Sequence, residues 1–196
     1  DYRAFYGTSN LVRVVAPSSV TSIGFDAFSR SNVENIYFGS PASYTSEIIQ
    51  TIDSVPTNTQ SGRYIAVTDF TQSSLQTIGG SAFASSKLKS ITIPANVESI
   101  NNNAFEGSSL ASIYFQYGSK LGEFSERVFA STDLQSFIIP NSITVIESKA
   151  FIGCTSLHTV NTTNASSLIE IKNKAFQEAA LNYVMIPSSV TFINNA

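Results

Sequence analysis

Apolar residues recur along this chain in a fixed frame. LVRVVAPSSVTSIGFDAF (11–28), LKSITIPANVESINNNAF (88–105) and LQSFIIPNSITVIESKAF (134–151) share an apolar residue at the first and fourth places, Pro at the seventh and Ala-Phe at the end. A fourth copy, LNYVMIPSSVTFINNA, starts at Leu181 and stops at Ala196. Alternation at the fourth and sixth places predicts a short strand with one face buried. Strands repeated at this period pair in parallel, about 4.8 Å apart. Pro17, Pro94, Pro140 and Pro187 have no N–H to give a ladder, so each ends its strand. Ser19, Asn96, Ser142 and Ser189 then supply short polar side chains that bond backbone where the chain turns.

A second form is two residues longer: YIAVTDFTQSSLQTIGGSAF (64–83), LASIYFQYGSKLGEFSERVF (110–129) and LHTVNTTNASSLIEIKNKAF (157–176). The difference lies in the first turn, since Leu88 to Val97 is nine positions and Leu110 to Leu121 is eleven. A constant hydrophobic frame with one variable turn is what stacked coils require. The stretch 33–63 fits less well. It is read as a degenerate coil with Tyr44 at the Leu121 place, Ile52 at the Phe129 place and an enlarged loop over 53–63. Glu47 falls where Ile or Phe stands elsewhere, and a helical hairpin over 46–52 is the alternative.

The whole chain, 1–196, is therefore expected to be a single solenoid of coils of about 22–25 residues, with a parallel sheet on one face and irregular turns on the other. Phe5, Phe28, Phe83, Phe105, Phe129, Phe151 and Phe176 recur once per coil and should form an aromatic column in the core rather than a cofactor box. Replacing an interior member with Ala should cost about 3–5 kcal/mol. DYRAF opens at the end of a repeat and FINNA stops before its Phe, so a partial coil is expected at each end, as in a fragment of a longer protein.

The run IPNSITVIESKAFIGCTSL (139–157), with Pro, Ala-Phe and Leu recurring in step, resembles the BspA-like leucine-rich repeats, also found in treponemal leucine-rich-repeat proteins. The likeness covers the chain except about 39–63. It implies a right-handed leucine-rich-repeat solenoid. It also implies kinship with large surface or secreted proteins of bacteria and parasitic protists, often associated with adhesion. No catalytic residue is implied.

Composition narrows the functional classes. The chain has 11 basic and 14 acidic residues, a net charge of -3, and no run of either sign, which argues against nucleic acid. No apolar stretch reaches the roughly 18–20 residues of a membrane span, so no membrane contact is expected of this segment. One cysteine, Cys154, excludes an internal disulfide. Its place is held elsewhere by Thr8, Ser31, Ser86, Ser108, Thr132 and Ala179, which marks a slot for a small residue rather than a reactive thiol. His158, the one histidine, stands just after a strand-opening Leu, pointing outward, with no acidic or Cys partner at ligand or triad spacing. No cofactor, metal or catalytic residue is expected. Asn161-Thr-Thr and Asn164-Ala-Ser match the glycosylation acceptor pattern, with Asn164 in the turn the better placed.

The informative surface is the outward side of the strands, read from the second, third and fifth places of each coil. The candidate partner-binding residues are Arg13, Val15, Asn35, Tyr37, Thr92, Tyr114, Ile138, His158, Tyr183 and Met185, with Thr68 at the same place in the coil opening at Tyr64. Tyr, Ser and Asn suit adaptable binding surfaces, although strands also favour Tyr, Thr, Val and Ile by propensity. The expectation is a non-catalytic module binding a protein or glycan, part of a surface or secreted adhesion protein. A scaffold component of a cellular assembly is the alternative.

Overall fold

A computed structural model of the chain describes residues 2–39, 73–163 and 165–194. Fourteen short strands follow one another, two per coil, and no helix occurs among the described residues. The first strands of the coils are β1 (Arg13–Ala16), β3 (Asn35–Phe38), β5 (Ser90–Ile93), β7 (Ser112–Phe115), β9 (Ser136–Ile138), β11 (Thr159–Asn161) and β13 (Tyr183–Val184). The second strands, two residues each, are β2 (Ser22–Ile23), β4 (Thr77–Ile78), β6 (Ser99–Ile100), β8 (Glu123–Phe124), β10 (Val145–Ile146), β12 (Glu170–Ile171) and β14 (Phe192–Ile193).

All pairing is parallel. The first strands form β1-β3-β5-β7 and β9-β11-β13 along one flank; the second strands form β2-β4-β6 and β8-β10-β12-β14 along another. Register keeps equivalent places together, as in Ile91↔Ile113 and Phe137↔Val160 on the first flank and Ile23↔Ile78 on the second. Each coil thus stacks its apolar side chains on the same side chains of its neighbours, which is how a 20-odd-residue unit with no core of its own becomes stable.

The third flank, expected to be irregular, is as regular as the sheets. Every Phe of the column is bracketed by left-handed residues two positions before and two after, from Arg3 and Gly7 around Phe5 to Lys174 and Glu178 around Phe176. This alternation directs successive amides along the stack. Phe28 N–H donates to Ala82 O at 2.7 Å, Phe83 to Ala104 at 2.7 Å and Phe105 to Val128 at 2.9 Å, so the turns form a third ladder. The left-handed residues are Arg, Asp, Ser, Asn, Lys, Glu or Gly, with no β-branched side chain among them. Within this ladder the Phe rings stack at 5.0–5.6 Å from Phe5 through Phe176, and the five from Phe28 to Phe151 are buried.

The small-residue slot also has a backbone role. The hydroxyls of Ser31, Ser86 and Thr132 donate to the carbonyls of Phe28, Phe83 and Phe129 at 2.7, 2.8 and 2.9 Å, closing the turn after each Phe. Cys154 fills the slot in its coil, buried, with Sγ 3.0 Å from Phe129 O and 3.4 Å from Thr132 Oγ1.

Of the expected 33–63 coil, residues 33–39 are among the described residues. From residue 40 on, that coil, its 53–63 loop, the 46–52 alternative, Thr68 and the strand expected to open at Tyr64 lie outside the described residues. On either side, β3 pairs with both β1 and β5, and Phe28 stacks directly on Phe83. Residues 33–39 and 73–83 therefore belong to one coil, where the sequence reading placed two.

Candidate functional site

Strand alternation sends the third and fifth places of the first flank outward. Tyr114, Ile138, Tyr183 and Met185 are 56%, 53%, 70% and 55% exposed. Val15, Arg13, His158 and Asn161 are also exposed, while Asn35 and Thr92 are half-buried. Thr92 lies opposite Tyr114 in one sheet and Asn161 opposite Ile138 in the next, with the bordering strands β7 and β9 in contact. The His158 ring Nδ1 engages the carbonyl of Ser156, two residues back.

Tyr37 departs from the expected stripe. It is 5% exposed, beside the buried Phe38, and is removed from the candidate surface. Alternation fixes the direction of a side chain but not its exposure, which depends on what packs over the strand.

From Ser90 to Met185 the third and fifth places carry no charge: Ser90 and Thr92, Ser112 and Tyr114, Ser136 and Ile138, Thr159 and Asn161, Tyr183 and Met185. Lys89 and Glu34 pair at 2.8 Å at the entrance to the strands. Three ion pairs among the described residues lie elsewhere in the coil: Arg3–Asp26 at 3.0 Å and Arg127–Glu106 at 2.9 Å on the turn flank, and Lys172–Glu147 at 2.6 Å just beyond the second strands. The hydrogen bond to Glu147, aided by the charges of Glu147, Glu170 and Glu123, raises the Lys172 pKa against the opposing effect of burial.

The Cys154 sulfur is not in a setting that favours its thiolate. Burial raises the Cys154 thiol pKa despite the Thr132 bond, so the nucleophilic thiolate is disfavoured. Among the described residues no group of three or more His, Cys, Asp or Glu side chains could hold a metal ion, and no helix is long and apolar enough to cross a membrane. Asn161 Oδ1 accepts from the N–H and hydroxyl of Thr163 at 2.9 and 2.6 Å. Asn164 lies outside the described residues.

One exposed cluster had not been anticipated. On the turn flank Tyr2 stacks on Phe25 at 5.4 Å, and the Arg3 guanidinium lies over both Tyr2 and Tyr6, at 5.0 and 5.2 Å. The available signal was Phe25 itself: three places before the column Phe, other coils carry Gly80, Asn102, Glu126, Ser148 and Asn173.

The chain is similar in structure to the pneumococcal vaccine antigen PcpA, with a TM-score of 0.56 and 20% identity over 94% of this chain and 36% of that one. A leucine-rich repeat protein from Bacteroides ovatus matches with a TM-score of 0.33 and 18% identity over 99% of this chain and 59% of that one. A leucine rich cell surface protein from Faecalibacterium prausnitzii gives 0.31 and 18%, over 95% and 60%. The chain thus spans about a third of the length of the pneumococcal protein and about three fifths of the other two. No curated protein sequence matches it significantly. The model of the BspA type leucine rich repeat region matches residues 1–54 and 76–196 in six copies, and the chain belongs to that family.

Proposed function

We propose that this chain is a non-catalytic binding module of a surface or secreted adhesion protein, and that it engages a protein partner through the outward face of its first-strand flank. The observation that carries this reading is the uncharged stripe from Ser90 to Met185, in which Tyr114, Ile138, Tyr183 and Met185 stand exposed. Isolated apolar residues on a surface need no explanation, but aligned ones on a strand face suit an interface core. Interface cores are depleted in charge and enriched in Tyr and Met, and Tyr gives large contact area at small entropic cost. Leucine-rich-repeat proteins commonly bind proteins, which supports the same class of partner.

The test is an array of purified secreted and ectodomain proteins, with neutral and anionic glycans in parallel, probed with the wild-type chain and with Tyr114→Ser plus Tyr183→Ser. The reading expects a protein hit that the double variant loses at unchanged thermal stability. A hit among glycans only, or a protein hit that the double variant retains, would count against it.

A further inference from the structure

One inward column on each strand flank, the fourth place of the coil on the first flank and the second residue of each second strand on the other, is aliphatic until a ring enters it: Phe137 in the fifth coil and Phe124 in the fourth, residues 110–129. On the second flank Ile23, Ile78 and Ile100 stack in paired strands, and pairing stops where the next member is Phe124. On the first flank Ile91 and Ile113 are paired, and pairing stops where the next member is Phe137. Beyond each ring the ladder resumes, with Phe124↔Ile146 and Phe137↔Val160. The rings at the sixth place, in Ala16↔Phe38 and Ile93↔Phe115, leave their ladders paired, whereas both breaks fall at a step from Ile to Phe in these two columns. In an interior packed to near-crystalline density, that added bulk is accommodated by moving backbone.

The rings show where the displacement goes. Phe124 packs edge-on to Phe137 at 5.8 Å and to Phe151 at 5.7 Å, both in the fifth coil, and Phe137 stacks on Phe151 at 4.8 Å. Facing the third coil, the Ile100 carbonyl takes its bond from the Ser125 hydroxyl at 2.6 Å instead of from a ladder amide. β7 and β9 remain neighbours without pairing. The turn ladder crosses both breaks intact, with Phe105 N–H to Val128 O and Phe129 N–H to Ala150 O at 2.9 Å each.

We infer that the Phe124–Phe137–Phe151 cluster divides the solenoid into two cooperative units, coils one to three and coils five to seven, hinged along the turn ladder at coil four. Stability in a stack is a sum of coil terms and nearest-neighbour terms, so cooperativity weakens where an interface loses one of its ladders. On each side of coil four one strand ladder and the turn ladder remain, and ring contacts stand where the other strand ladder is missing, tolerating small rotations that a third ladder would forbid. Coil four is shared, pairing with the first unit through β7 and with the second through β8.

Native-state hydrogen exchange of the whole chain, followed by NMR at low denaturant, tests this division. Ladder amides of coils one to three and of coils five to seven are expected to exchange as two groups, each with its own denaturant dependence. Phe124→Ile with Phe137→Ile should merge them and raise protection at Ser136 and Ile138 roughly five- to tenfold, the effect of one ladder bond closing. Phe124→Leu is the milder second variant and should shift both quantities in the same direction. A single exchange group in the wild-type chain, or a boundary at another coil, overturns the inference. Two groups that persist in a folded Ile variant overturn the role given to the rings.

Discussion

Phe28 stacks on Phe83 with ring centroids 5.3 Å apart, although 55 positions of sequence separate them. Phe83 and Phe105, 22 positions apart, stack at 5.4 Å. The excess is 55 less 22, or 33 residues, the length of the stretch 40–72. At its borders Gly39 N–H donates to Ala16 O at 2.9 Å and Ser74 N–H to Ser18 O at 3.0 Å, so both ends lie beside the turn at Pro17.

A deletion variant follows from this geometry. Phe38 and Leu75 occupy the places of Ile93 and Val97, which three residues connect. Joining Gly39 to Ser73 also leaves three, namely Gly39, Ser73 and Ser74. The variant lacking 40–72 is expected to unfold in a cooperative transition. Loss of the cooperative transition would show that the coil needs the deleted residues.

The second flank contains one point of unusually close approach. A Cβ on Gly79 would stand 2.7 Å from the Gly24 carbonyl carbon and 2.8 Å from Ile23 O, both backbone atoms. Gly79→Ala should therefore destabilise by about 1–3 kcal/mol, the usual cost of overpacking, read as a lowered urea midpoint at constant slope. An unchanged midpoint would mean that the first two coils separate easily.

Left-handed backbone gives the opposite sign. Lys149 has φ 61°, in the same left-handed region as Gly153 at φ 70° on the other side of Phe151. Its side chain is half-buried. Lys149→Gly should relieve the penalty of a non-glycine residue in that region and stabilise by roughly 0.5–1 kcal/mol, after allowance for the greater freedom of the unfolded chain. Chemical denaturation checks this, and a clear loss of stability would contradict the account of the third ladder.

Cys154 is buried, with its thiol pKa raised chiefly by burial. The native protein should resist an uncharged alkylating reagent at pH 8 and react once unfolded, as mass spectrometry would show. Cys154→Ser should be nearly neutral, because Ser31 and Ser86 fill the same slot.

The strand frame, the Phe column and the small-residue slot were legible because each rests on residues that recur in step. Stacking demands that recurrence, so one sequence displays the constraint several times. The third ladder was hidden, since its signature is a backbone conformation open to several polar residues and no single residue type marks it. That β3 pairs with both β1 and β5 was not legible either, because the neighbours of a strand in a sheet are set by the stack and not by its own local pattern. Tyr37 was misplaced for a related reason: a period-2 pattern gives direction, and exposure depends on the rest of the fold. Of the candidate stripe, the sequence shows the absence of charge, and the structure adds the exposure of Tyr114, Ile138, Tyr183 and Met185.

The central functional claim concerns one flank of the coil, and a matched pair of charge insertions addresses it most directly. Ile138→Lys places a charge on the stripe, and Asn173→Lys places the same charge on the exposed turn flank. Both should melt with the wild-type chain, because each replaces an exposed side chain. Against the protein partner found on the array, Ile138→Lys is predicted to lower affinity at least about tenfold, the effect of a desolvated charge costing near 1.4 kcal/mol, while Asn173→Lys leaves it unchanged. Equal binding by both variants, or loss with Asn173→Lys alone, would contradict the assignment of the partner to this face.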